Sequence, residues 1–253
     1  MRLLSSMAIA FATYSRIPMP PVEWTDENRR YSMCFFPLIG AVIGALLAAW
    51  LWLCEGLHIG PWLKGAVGAL LPLWVTGGIH MDGLMDTSDA LASWQTKERR
   101  LEILKDSHVG AFGVMACAGY LLATAGLLSE ASLDDAPLLG MVYIVSRALS
   151  AWALTVFQNA RPEGMLDSFA RTAQKRAAQA ACAAYLLLCV LVWAACGGWL
   201  ALPCAAAAAL CLLHYRRMAY ERFGGITGDL AGWFVQLTEA ADIAVIILGG
   251  KLL

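Results

Sequence analysis

Residues 177–215 read AAQAACAAYLLLCVLVWAACGGWLALPCAAAAALCLLHY, 39 positions between Arg176 and Arg216 without an Asp, Glu, Lys or Arg. A helix needs about 20 such residues to cross roughly 30 Å of hydrocarbon. The run is therefore too long for one span, and Gly197-Gly198 divides it into two, 177–196 and 199–215. Working outward, uncharged windows recur at 35–54, 65–81, 107–129, 136–160 (interrupted by Arg147) and 230–250 (interrupted by Glu239 and Asp242). That makes about seven spans. The chain is 60% hydrophobic and 15% charged, against about 25% charged for a soluble domain. The fold expected is all-α, a polytopic transmembrane helix bundle occupying residues 1–253 as one domain. The apolar stretch after Arg2 ends at Arg16-Ile17-Pro18-Met19-Pro20-Pro21, which reads as an interfacial helix stopped by prolines rather than a signal peptide.

Loop charges orient the bundle. Arg2, Arg16, Arg29 and Arg30 precede the first span. Lys97, Arg99, Arg100 and Lys105 lie between spans two and three, Arg161, Arg171, Lys175 and Arg176 between four and five, and Arg216, Arg217 and Arg222 between six and seven. The alternate side has only Lys64 and Lys251. Every second loop is expected in the cytoplasm. A net charge of −1 without a long basic run gives no reason to expect nucleic acid; the lipid bilayer is the expected large partner. None of the eight cysteines forms a C-x-x-C pair. The seven-residue spacing of Cys182, Cys189 and Cys196, and of Cys204 and Cys211, reads as small packing residues on one helix face.

The chemistry is concentrated in residues 76–113, TGGIHMDGLMDTSDALASWQTKERRLEILKDSHVGAFG. Asp82, Asp86 and Asp89, spaced i, i+4, i+7, fall within about 60° of one helix face, where a span reaches the interface. Carboxylates this close call for a cation, and all-oxygen donors favour Mg²⁺ or Mn²⁺. The alternative is a solvated acidic helix. His80 is a candidate base, although two positions before Asp82 it points about 160° away on an ideal helix; a structural histidine is the other reading. Asp106 stands directly before Ser107-His108-Val109-Gly110-Ala111-Phe112-Gly113, where two glycines allow close backbone approach to a ligand. Gly224, Gly225, Thr227, Gly228 and Asp229 open the last span and suit a phosphate or metal-phosphate contact, or simply a turn. Arg147, inside a span, should face the interior and pair with a phosphate or with Glu239 or Asp242.

Together these residues resemble the adenosylcobinamide-GDP ribazoletransferases, the cobalamin synthase family. The likeness runs through Ser15-Arg16-Ile17-Pro18, Phe36-Pro37-Leu38-Ile39-Gly40, the block Gly77 to Asp89, Leu101 to Ser107, Ser146-Arg147 and Gly224 to Asp229. Ala90, His108 and Gln236 depart from the family pattern, which has Gly, Arg and Glu there. The resemblance implies a Mg²⁺-dependent, multi-pass enzyme of the bacterial cytoplasmic (inner) membrane with its site facing the cytoplasm. Such an enzyme joins α-ribazole, or its 5′-phosphate, to adenosylcobinamide-GDP and releases GMP. It implies Asp82, Asp86, Asp89 and Asp229 at metal, Gly224, Gly225, Thr227 and Gly228 at the nucleotide phosphates, and His80, Asp106 and Arg147 in catalysis. Association with a second copy or with other late corrinoid-pathway enzymes stays open. Two other classes are compatible with parts of the sequence. CDP-alcohol phosphotransferases share the Gly-x-x-x-Asp-x-x-x-Asp spacing of Gly78, Asp82 and Asp86, but their preceding Asp-Gly is Lys64-Gly65 here. An ion or proton transporter would use Glu239, Asp242 and Arg147 as relays.

Overall fold

The computed structural model describes residues 2–161 and 165–252. Among them the regular elements are helices: α1 (Arg2–Tyr14), α2 (Asp26–Arg29), α3 (Ser32–Gly56), α4 (Pro61–Thr76), α5 (Ile79–Ala92), α6 (Lys97–Ile103), α7 (Ala111–Ser129), α8 (Ala136–Val156), α9 (Met165–Thr172), α10 (Lys175–Gly197), α11 (Ala201–Arg222) and α12 (Gly228–Gly250). Among the described residues five helical segments are long and apolar enough to cross a bilayer, with α10 and α11 taken as one stretch of 48 residues, and α4 joins them when taken with the bent helix after it. The 48-residue stretch makes two passes. Gly198 (φ +55°) breaks it. At the break, Gly197 packs on Leu138 at the start of α8, and Leu200 meets Gly249 at the end of α12. The far ends of both arms return to the other end of the bundle, where Gln174 N–H donates to Arg30 C=O and Lys97 Nζ donates to Tyr220 C=O. Counted this way the crossings number seven.

α8 is the central post. Sixteen of its 21 residues are buried, whereas α7 buries three of 19, so α7 stands at the rim. Two glycines of α3 let its backbone touch that of α8: Gly40 lies against Tyr143 C=O and Gly44 against Gly140. Large apolar side chains such as Leu122, Leu187, Leu191, Leu202 and Leu213 point outward, the surface a bilayer requires. Cys182, Cys189, Cys204 and Cys211 are buried as the spacing implies. Cys196 is exposed, because it immediately precedes the Gly197-Gly198 break and lies beyond the packed face.

The charge alternation is reproduced in space. Arg100 reaches toward Arg222 C=O, Arg161 donates to Leu101 C=O, and Arg29 donates to Ser168, so all four basic segments share one end. Lys64 bonds Ala131 C=O and Lys251 pairs with Glu130 at the other.

One boundary differs from the hydropathy reading. The second span does not run on to Met81. It ends at Thr76, because Gly77 (φ +69°) and Gly78 (φ +84°) are both left-handed, a conformation side chains with a Cβ rarely adopt. The chain turns by 98° there, and α5 continues the broken span as an arm at the basic end of the bundle.

Candidate active site

The acidic arm is positioned by close backbone packing. A Cβ on Gly83 would collide with the carbonyl oxygen of Asp229, and one on Gly232 would come within 3.2 Å of His80 Cα. Only glycine lets α5 lie this tightly along the first turns of α12. This answers why a poor helix former stands inside α5: its intrinsic cost, about 1 kcal/mol against Ala, is offset by the contact. His80, Met81, Leu84, Thr87 and Ala90 form the buried face, which leaves Asp82 exposed and Asp86 and Asp89 partly so.

A cavity of about 250 Å³ opens where α5, α8 and α12 meet the N-terminal segment. Ile79, His80 and Asp82 line it from α5, Ser150, Ala151 and Leu154 from α8, Gly228, Asp229, Ala231 and Gly232 from α12, and Tyr14, Met33 and Phe36 complete the wall. His80 and Asp82 thus share one cavity, contrary to the ideal-helix angle. The cavity lies at the first turn of α5, from which Ile79, His80 and Asp82 all line it. The N-termini of α5 and α12 both border this space, and such termini favour anions. His80 is buried, its Nδ1 has no hydrogen-bond partner, and its ring centroid lies 5.8 Å from that of Phe36. Burial, and then the positive charge of Arg147, holds its pKa well below the usual imidazole value, so the ring is neutral.

The carboxylates feel one another. Asp86 is pushed up to about 6 by burial and by the charges of Asp82, Asp229 and Asp89. Asp89 is engaged further: its two oxygens accept the backbone N–H groups of Gly110 (2.7 Å) and Gly113 (2.9 Å), so it caps the start of α7. Arg161 brings a cation to the group, its guanidinium 4.0 Å from Asp229. Among the described residues no three His, Cys, Asp or Glu side chains enclose a position for a metal ion. The donors suit Mg²⁺, which is commonly held by one or two carboxylates with phosphate oxygens and water; they do not form a closed cage.

The remaining sequence candidates lie elsewhere. Asp106 is exposed in the loop before α7, with the His108 Nδ1 2.6 Å from its carboxylate and the His108 N–H donating to it. Those bonds hold its pKa below the ordinary value, and it is absent from the charges acting on Asp86. Arg147 is fully buried and pairs with Glu239 at 2.6 Å; it also donates to Tyr143 C=O, while Ser146 and Tyr120 donate to the same Glu239. Of the two carboxylates open to it, Glu239 is the partner, and the guanidinium lies behind the cavity rather than in it. Gly225 packs against the backbone of residues 158–160, where Ile226 and Asn159 form an isolated parallel bridge. Thr227 caps α12 by accepting the Leu230 N–H. Gly224 forms the preceding turn with φ +80°. Of that glycine-rich group, Gly228 and Asp229 reach the cavity.

Sequence reasoning counted Arg161 only as a loop charge and passed over Tyr14, Phe36 and Ser150 as wall residues. For Phe36 a signal existed in its place within the resemblance; the others have none that a single chain displays.

The chain matches the family model described as cobalamin-5-phosphate synthase over residues 6–247. It is 40% identical to the adenosylcobinamide-GDP ribazoletransferase of Lachnoclostridium phytofermentans, over 100% of this chain and 97% of the relative. It is 36% identical to the protein of the same name from Desulfitobacterium hafniense (91% and 92% covered) and 35% identical to that of Geobacillus thermodenitrificans (90% and 89%). No solved structure matches. A helical membrane bundle that carries the acidic block of α5 against the head of α12, and that matches this model over nearly its whole length, belongs to the cobalamin-5-phosphate synthase family.

Proposed function

We propose that the chain is an adenosylcobinamide-GDP ribazoletransferase and that the cavity between α5, α8 and α12 is its reaction site. The observation that carries this is the meeting of His80, Asp82 and Asp229 at one cavity, from helices far apart in sequence. A ribose hydroxyl of α-ribazole, or of its 5′-phosphate, attacks the phosphorus attached to cobinamide. A new O–P bond forms, the P–O bond to GMP breaks, and GMP leaves with the electron pair. The hydroxyl proton must go to a base. His80, which lines the cavity as a neutral ring, is placed to take it.

Asp82, Asp86 and Asp229 would hold Mg²⁺ together with pyrophosphate oxygens, and the ion would neutralise charge on the leaving phosphate. Arg161 stands at Asp229 to meet the same charge. Asp89 acts through structure, fixing α7 to α5. The excess of Arg and Lys at the end bearing this site supports the reading that it faces the cytoplasm, in the bacterial inner membrane.

Membranes containing the protein, given adenosylcobinamide-GDP, α-ribazole and Mg²⁺, should yield GMP and a completed corrinoid, and chelation should stop the reaction. No corrinoid product from inserted protein would overturn the activity. Undiminished turnover in excess chelator would remove the metal from it.

A further inference from the structure

The two substrates differ greatly in size, and the cavity discriminates between them. Sites for drug-sized ligands run from about 300 to 1,000 Å³, so about 250 Å³ admits something nucleoside-sized and excludes a corrin macrocycle with its side chains. Its lining is also graded. Tyr14 and Phe36 stand with ring centroids 4.6 Å apart, the His80 ring follows 5.8 Å beyond Phe36, and Asp82 and Asp229 lie at the polar side. His80 lines this space while only 5% exposed, so what its ring does show is turned to the cavity.

We infer that this cavity is the acceptor pocket: it takes α-ribazole with its aromatic base against Tyr14 and Phe36 and its ribose toward His80, while the corrinoid stays outside and presents only its pyrophosphate at Asp82 and Asp229. The inference rests on the function proposed above. It makes Tyr14 and Ala231 determinants of which base is accepted. Tyr14 supplies a face for an aromatic base, and Ala231, a half-buried wall residue, sets the width available to it.

The test uses the full-length purified protein. Tyr14→Ala and Ala231→Leu should each raise KM for α-ribazole about tenfold or more while KM for adenosylcobinamide-GDP stays within about twofold. Tyr14→Phe, which keeps the ring, should restore the wild-type value. Ala231→Leu should also shift preference from the bicyclic base toward a riboside of one-ring imidazole. Calorimetry should detect α-ribazole binding to the wild type without the corrinoid, and weaker binding in both variants. Should Tyr14→Ala fail to fold, Ala231→Leu alone carries the comparison. An active wild type whose variants change KM for the corrinoid nucleotide, or change neither, overturns the acceptor assignment and leaves the function standing. A wild type that binds α-ribazole but makes no product overturns the function and not the pocket, and one that does neither overturns both.

Discussion

The backbone of Gly83 rests directly on that of Asp229. A Cβ at position 83 would clash with the Asp229 carbonyl oxygen and lie 3.1 Å from its Cα. This contact sets the distance between the two acidic groups, Asp82 to Asp86 on α5 and Asp229 on α12. Gly83→Ala should therefore lower turnover by up to about a hundredfold, the scale that a misplacement near 1 Å produces, while the protein still inserts. Gly232→Ala, whose Cβ meets His80 Cα at a more tolerable 3.2 Å, should do less. The comparison is made on membrane preparations of matched protein content. Full activity in Gly83→Ala would show that α5 and α12 can separate without harm.

The acidic residues should divide into two classes. Asp89 uses both oxygens on the N–H groups of Gly110 and Gly113. Asp89→Ala removes this cap and should cost about 0.5–2 kcal/mol of stability, seen as a lower melting temperature in detergent. Asp82→Asn and Asp229→Asn release no second helix, the bonds of the Asp229 carboxylate being local, to its own N–H and to Thr227. They should keep wild-type stability, raise the Mg²⁺ concentration needed for half-maximal turnover, and lower turnover by about a hundredfold or more. A Mg²⁺ titration unchanged in both variants would return these residues to the status of a solvated surface.

The crossings and their alternation were legible in one dimension, because hydropathy and loop charge are properties of segments. Residues 177–215 show this: length alone demanded two passes, and Gly197-Gly198 marked where. The acidic row was legible because i, i+4, i+7 is a property of a single helix. The end of α4 was not. Uncharged residues continue to Met81, and a window average is blind to two successive positive φ values even though the glycines were visible. Long-range partners were hidden for a different reason. That Asp89 caps a helix 21 positions on, that Arg161 stands beside Asp229, and that Tyr14 shares a wall with Leu154 are consequences of packing, and no local pattern encodes them. Arg147 lies between these cases: its need for a buried anion could be read, but the choice between Glu239 and Asp242 required the fold.

That pair yields the third prediction. Arg147 and Glu239 are both fully buried, and removing one partner of such a pair costs about 3–5 kcal/mol, because the other charge is stranded. Arg147→Met should thus reduce the yield of folded protein sharply. The double variant Arg147→Met with Glu239→Leu should recover much of the loss, since no uncompensated charge remains, and should retain turnover. A double variant that folds normally, judged by melting temperature, yet is inactive would assign the guanidinium a direct role toward substrate phosphate.

The last prediction concerns pH. The Asp86 carboxyl ionises at about 6 in the folded protein rather than at its ordinary 3.8, raised first by burial and then by Asp82, Asp229 and Asp89. The folded state therefore holds this proton more tightly than the unfolded chain does. Its contribution to stability is complete below about pH 4 and is lost as pH rises through 6. Without divalent cations, melting temperature should fall across that window more steeply in the wild type than in Asp86→Asn. A cation reverses the balance, because it binds the ionised form. Added Mg²⁺ should then raise the melting temperature more at pH 7 than at pH 5, and the difference should shrink in Asp86→Asn. A wild type and an Asp86→Asn variant with superimposable pH profiles, with and without Mg²⁺, would mean that the four carboxylates do not act on one another as their packing implies.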